Sequence, residues 1–138
     1  TTEPWKTQYW IREIMNRMYR NNIDGLCGND DCGQMSAWYI FSAMGFYPVC
    51  PGTDQYVIGA PYLPFMQVNL ENGKTFTVKV SDKNRYIKSV TLNGKPYKKA
   101  YITHQDIMNG GELVFQMTSS PNKRRQFTTE EKPYSLVE

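Results

Sequence analysis

Apolar and polar positions along the chain follow two periods, and the change comes near Gly45. From Trp5, the apolar residues Tyr9, Trp10, Ile14 and Met18, flanked by Ile11, Met15 and Tyr19, recur every three to five residues. That spacing predicts an amphipathic helix with a wide stripe, one that expects cover on more than one side. Thr2 is the expected N-cap, Pro4 fits the first turn, and Asn21-Asn22-Ile23-Asp24-Gly25 is the expected stop. A second helix is predicted over Gln34 to Met44, closed by Gly45 in a left-handed cap position. It is apolar nearly all round, so it reads as buried among other helices of a larger body.

Beyond Gly45 the period shortens. Pro48, Pro51 and Gly52 break helix, and short β-rich runs follow between turn signals. Strands are predicted at Gln55-Gly59, Gln67-Leu70, Thr75-Val80, Ile87-Leu92, Ala100-Thr103 and Glu112-Met117. Thr75-Val80 alternates cleanly, as a sheet with one wet face should. The Asn-Gly pairs in Glu71-Asn72-Gly73 and Leu92-Asn93-Gly94 are strong hairpin signals. The expected fold class is α+β, with two N-terminal helices followed by an antiparallel sheet or partial β-sandwich. Residues 1–47 form the helical segment, 48–125 the β region, and 126–138 a polar tail or linker.

Composition then narrows the function classes. With 40% hydrophobic and 21% charged residues, the chain reads as folded rather than disordered. The net charge is only +3, and Lys123, Arg124 and Arg125 form the one compact basic run, so that run reads as a solvated loop and no nucleic-acid partner is expected. No apolar run approaches the ~20 residues of a membrane span. The 14% aromatic share suits stacking on sugar faces, but a wide core accounts for it first. Cys27, Cys32 and Cys50 cannot all pair within one chain. Four residues separate Cys27 from Cys32, yet the single histidine, His104, is far away, so a zinc site is not expected. A Cys27–Cys32 disulfide stays open, with free, largely buried thiols the expectation. The first residue is Thr, with no leader-like stretch behind it, which reads as part of a longer protein and leaves localisation open.

One segment carries candidate chemistry: Gly25-Leu26-Cys27-Gly28-Asn29-Asp30-Asp31-Cys32-Gly33-Gln34. It places two adjacent carboxylates in a glycine-rich loop at the mouth of the second helix. An aspartate there caps the helix, because its carboxylate accepts unpaired backbone N–H groups of the first turn. One cap needs one aspartate; a second carboxylate beside Trp38 and Tyr39 points to a site. The field at a helix N-terminus keeps such a carboxylate ionised and fit to act as a general base.

The run Gly28-Asn29-Asp30-Asp31-Cys32-Gly33-Gln34-Met35-Ser36-Ala37-Trp38-Tyr39, continued by Phe46-Tyr47-Pro48-Val49 and Tyr56-Val57-Ile58-Gly59, closely resembles the C-terminal signature of glycoside hydrolase family 92 α-mannosidases. Pro4-Trp5-Lys6-Thr7-Gln8, Leu92-Asn93-Gly94-Lys95, Tyr101-Ile102-Thr103-His104-Gln105-Asp106-Ile107 and Gly110-Gly111 extend the resemblance to roughly residues 4–122. The resemblance implies an N-terminal β-sandwich and an (α/α)6 barrel with the active site between them, the two helices here being the end of that barrel. It implies an exo-α-mannosidase that inverts the anomeric centre, acts on terminal α-mannosides (α-1,2 first) of N-glycans or mannan, and uses a calcium ion. On this reading Asp31 is the general base and Asp30 assists it or caps the helix. Asn29, at a position where some relatives carry an acid, is a substrate contact together with Gln34, Trp38 and Tyr39.

The general acid and most calcium ligands are expected upstream of Thr1, and no metal site is assigned within these residues. The chain by itself is therefore expected to be inactive. Its partners are then α-mannoside glycans and the missing sandwich and barrel, with self-association of the uncovered helices when the chain stands alone. The implied location is extracytoplasmic: periplasmic, cell-surface or secreted. His104 and Asp106 read as a structural pair rather than a catalytic dyad. The competing reading is a non-catalytic carbohydrate-binding or structural β-module, against which the apolar second helix argues.

Overall fold

The computed structural model describes residues 3–135. Helix α1 spans Pro4–Met18, with the proline in its first turn and Glu3 at the N-cap position, where its side chain makes no cap bond. The expected cap, Thr2, lies outside the described residues. After Met18 the chain turns back on itself: Tyr19 bridges Leu26, and Arg20 N–H donates to the Gly25 carbonyl. A Cβ on Gly25 would stand 1.9 Å from the Arg20 carbonyl oxygen, so only glycine fits this return. Helix α2 spans Gln34–Met44 and ends as the sequence predicts, with Gly45 at φ +96° donating its N–H to the Phe41 and Ser42 carbonyls.

The β region holds eight strands: β1 (Phe46–Tyr47), β2 (Gln55–Ile58), β3 (Phe65–Asn69), β4 (Thr75–Val80), β5 (Tyr86–Leu92), β6 (Lys95–Tyr97), β7 (Tyr101–Thr103) and β8 (Gly111–Thr118). They form a three-stranded sheet in the order β1-β2-β7 and a five-stranded sheet in the order β3-β4-β8-β5-β6. The α+β class and the predicted strands stand, with β1 and β6 added. The larger sheet is mixed, because β8 runs parallel to β4 and antiparallel to β5. Asn93 (φ +50°) and Gly94 (φ +76°) form the tight turn between β5 and β6, the conformation that makes Asn-Gly a hairpin signal.

The core lies between the two sheets. Phe76 and Val78 of β4, and Leu113 and Phe115 of β8, alternate onto the inner face and are fully buried. Phe46, Ile102 and Ile107 meet them from the other side. Ile107 belongs to a short helix, α3 (His104–Met108), between β7 and β8. Its N-terminus is a capping box: Thr103 N–H and hydroxyl both donate to the Asp106 carboxylate at 2.8 Å, and Asp106 N–H donates to Thr103 Oγ1. His104 Nδ1 lies 3.2 Å from the Tyr56 hydroxyl. His104 and Asp106 thus engage different partners, Tyr56 and Thr103, and among the described residues no hydrogen bond or ion pair joins the two. The polar tail returns to the sheets, where Ala100 N–H donates to Glu131 and Tyr134 N–H to the Gln55 side chain.

Both helices are tied to one loop after β2. Tyr62 N–H donates to Ala43 and Gly59 N–H to Gly45, while the buried Arg12 reaches from α1 to the Pro61 carbonyl at 2.6 Å. The Arg12 guanidinium also lies 4.7 Å over the Tyr62 ring, and burial lowers its pKa. Away from this loop the helices are open: Trp10 and Ile40 are each 59% exposed.

Candidate active site

The acidic loop is shaped by its backbone. Asp31–Gly33 form a single 3-10 turn ahead of α2, with Cys32 (φ +53°) and Gly33 (φ +77°) both in the left-handed region. For cysteine that conformation costs about 1–3 kcal/mol, which the surrounding bonds must hold in place. Gly33 N–H donates to the Asp30 carbonyl at 3.0 Å, closing the turn.

The two carboxylates have separate fates. Asp30 is engaged with Ser36, six residues on: Ser36 N–H donates to Oδ1 at 3.0 Å, and Ser36 Oγ donates to Oδ2 at 2.5 Å. The Ser36 hydroxyl and amide hold the Asp30 carboxyl below the usual aspartate range. Asp30 thus caps the first turn of α2 from outside the Gly33 N-cap. Asp31 points outward, exposed, and among the described residues nothing hydrogen-bonds or ion-pairs with its carboxylate. It is the free carboxylate of the pair.

Asn29 and Gln34 are exposed on the same loop, and Gln34 Nε2 approaches the Tyr47 hydroxyl at 3.4 Å. Trp38 and Tyr39 lie along α2 and pack round Tyr19, whose ring stacks on Trp38 at 5.6 Å and meets Tyr39 at 4.9 Å. Tyr19 donates its hydroxyl to the Met35 carbonyl at 3.1 Å, and burial raises its pKa. One ring face of Trp38 is thereby covered, and Trp38 also lines a narrow, mostly apolar groove with Ile11, Tyr47 and Val49. Tyr19, Ser36 and Tyr47 are the members that sequence reasoning missed; a serine at the third position of α2, just behind an aspartate-rich loop, was the available signal for the second of them.

The thiols correct an expectation. Cys27 and Cys32 are exposed and Cys50 is partly so, and all three are free. A glycine-rich loop held by backbone and carboxylate bonds has no apolar wall in which to bury a side chain, so its cysteines face out. Calcium takes six to eight oxygens. Among the described residues no three His, Cys, Asp or Glu side chains gather to hold a metal, and both Asp30 oxygens are taken by Ser36. The two loop carboxylates offer four oxygens, fewer than calcium takes, so the rest would have to come from other groups. A cleft of about 200 Å³ lies elsewhere, between the start of α1, β5 and β6, and is lined by Trp5, Tyr97, Lys98 and Arg125.

Comparison with known proteins decides the family. Residues 1–119 match the model of the glycosyl hydrolase family 92 catalytic domain. The chain belongs to family 92. A family 92 α-mannosidase from Bacteroides thetaiotaomicron superposes with a TM-score of 0.89 at 46% identity, over 96% of this chain and 18% of that one. A family 92 inverting mannosidase from the same organism superposes with a TM-score of 0.88 at 44% identity, over 97% of this chain and 19% of that one. An uncharacterized secreted glycosidase of Arthroderma benhamiae is 37% identical over 103 residues, which are 69% of this chain and 13% of its own length. The chain therefore spans less than a fifth of the length of each of these relatives. No helix among its described residues is long and apolar enough to cross a membrane.

Proposed function

We propose that this chain is the base-bearing C-terminal part of a family 92 α-mannosidase that hydrolyses terminal α-mannosides, α-1,2 linkages first, on N-glycans or mannan outside the cytoplasm. The single observation behind the assignment of roles is the division of labour in the loop: Asp30 is bound to Ser36, while Asp31 next to it is exposed and has no partner among the described residues. A general base must have its carboxylate free to take a proton from water. Water activated by Asp31 attacks the anomeric carbon from the face opposite the leaving group, the glycosidic bond breaks, and configuration inverts. The inverting mannosidase among the structural relatives supports that stereochemistry.

Inversion needs a second carboxyl, protonated, ~6.5–9.5 Å from the first, to give its proton to the leaving oxygen. On this reading it comes from the protein outside these residues, as do the ligands of the calcium ion. The secreted fungal relative supports an extracytoplasmic location. The uncovered faces of α1 and α2 pack on the rest of the barrel, or on each other when the chain stands alone.

Asp31→Asn in the full-length protein tests the reading. Turnover of an aryl α-mannoside is expected to fall about 10²–10⁴-fold, with the melting temperature unchanged. NMR of the wild-type reaction is expected to show β-mannose first. Undiminished turnover in the variant, or α-mannose as first product, would refute the assignment.

A further inference from the structure

We infer that Asp30 is a positioning residue for Asp31, acting through a two-bond clamp on Ser36 that fixes the turn between them. The inference rests on reading Asp31 as the base. The Asp30 carboxylate grips Ser36 through both the backbone N–H (3.0 Å) and the hydroxyl (2.5 Å), so the chain from residue 30 to residue 36 is closed into a ring. Inside that ring sit the two left-handed residues, Cys32 and Gly33. A strained turn persists only where its surroundings over-determine it, and here the clamp spans the strained pair from end to end. The Gly33 N–H to Asp30 carbonyl bond adds a second tie from the same residue.

The outcome is geometric. With Asp30 directed at the helix, the Asp31 side chain that follows stays exposed to solvent. Released from Ser36, the Cys32–Gly33 turn would relax toward ordinary backbone angles and carry Asp31 with it. The two adjacent aspartates therefore have different roles, Asp30 holding the turn that aims Asp31.

Variants of the full-length protein, assayed on a nitrophenyl α-mannoside, test this. Asp30→Ala is expected to lower kcat roughly 10²-fold with KM within about twofold, since a misplacement of about 1 Å in the reacting groups is worth that much. Asp30→Asn keeps an acceptor for the Ser36 N–H and a polar partner for its hydroxyl, and is expected to stay within about fivefold of wild type. Ser36→Ala removes one of the two bonds and is expected to lower kcat about three- to tenfold. The double variant Asp30→Ala/Ser36→Ala is expected to be no worse than Asp30→Ala, because both act through one clamp. Azide, a nucleophile that needs no base, is expected to restore turnover to Asp31→Ala as the mannosyl azide, and not to Asp30→Ala.

An Asp30→Ala enzyme with near-wild-type kcat overturns the inference. So does an Asp30→Asn enzyme as inactive as Asp31→Asn, or azide rescue of Asp30→Ala, since either makes Asp30 the base itself. Should Asp30→Ala fail to fold, Asp30→Asn and Ser36→Ala decide, and equal, complete loss in both sinks the clamp. An inactive Asp31→Asn beside a fully active Asp30→Ala defeats the clamp alone. An active Asp31→Asn instead defeats the assignment of the base.

Discussion

The β region and the helical region of this chain answer the same physical demand in opposite ways. Between the sheets, Phe76, Val78, Leu113, Phe115 and Ile102 are fully buried, and residues from β1, β7 and α3 close the core. On the helices, Trp10, Ile14, Met18 and Ile40 remain exposed, and helix α2 fully buries only Ser42 and Ala43. Large apolar side chains left exposed on a helix face, where they form a patch, mark a place where something else packs. The β region encloses a core of its own, the helices bury little within this chain, and the acidic loop lies with the helices. The candidate site thus lies where the chain leaves apolar side chains uncovered, not in its closed core.

Substitutions can sharpen or break this contrast. The largest effect is expected at Phe115→Ala in the closed core, which should cost about 3–5 kcal/mol in chemical denaturation; a cost under about 1 kcal/mol would mean the sheets do not enclose a tight core. Arg12→Ala cuts the tie between α1 and the Pro61 carbonyl. It is expected to cost about 1.5–3 kcal/mol, seen as early loss of helical signal before the sheets melt. Ile40→Ala on the open face should change the isolated chain by no more than about 0.5 kcal/mol. A larger loss, varying with protein concentration, would show that copies of the chain already cover that face.

The smallest expected effect depends on pH. Ser36 lowers the Asp30 pKa on folding. A depressed folded value means its contribution is complete above the unfolded aspartate pKa of about 3.9 and is lost as pH falls below it. Thermal melts between about pH 6 and pH 3 should show a shallower decline for Asp30→Asn than for wild type. Parallel curves would mean that the Ser36 bonds do not favour the ionised form.

Elements that declare themselves locally were legible in the sequence. Helix α2 from Gln34 to Met44, its Gly45 stop, strand β4 and the Asn93-Gly94 turn all follow from period and turn chemistry. Strand β1 has two residues and β6 contains Pro96, so neither offers a period to read. Helix α3 is one short turn made by the Thr103–Asp106 capping box, easily taken for a strand end after Tyr101-Ile102-Thr103. The parallel pairing of β4 with β8 joins residues more than thirty positions apart, which no local pattern encodes. In the loop, the doubled aspartate advertised a site, but which carboxylate was free depended on Ser36. That bond spans six residues across a left-handed turn, outside the usual cap-to-third-residue spacing.

The place of β8 has a consequence for synthesis on the ribosome. The strand that emerges last from the larger sheet is its middle, wedged between β4 and β5. Until residues 111–118 leave the exit tunnel, the hairpins β3–β4 and β5–β6 are separate pieces with an open edge each, and translation must run almost to the end of this sheet before they become one.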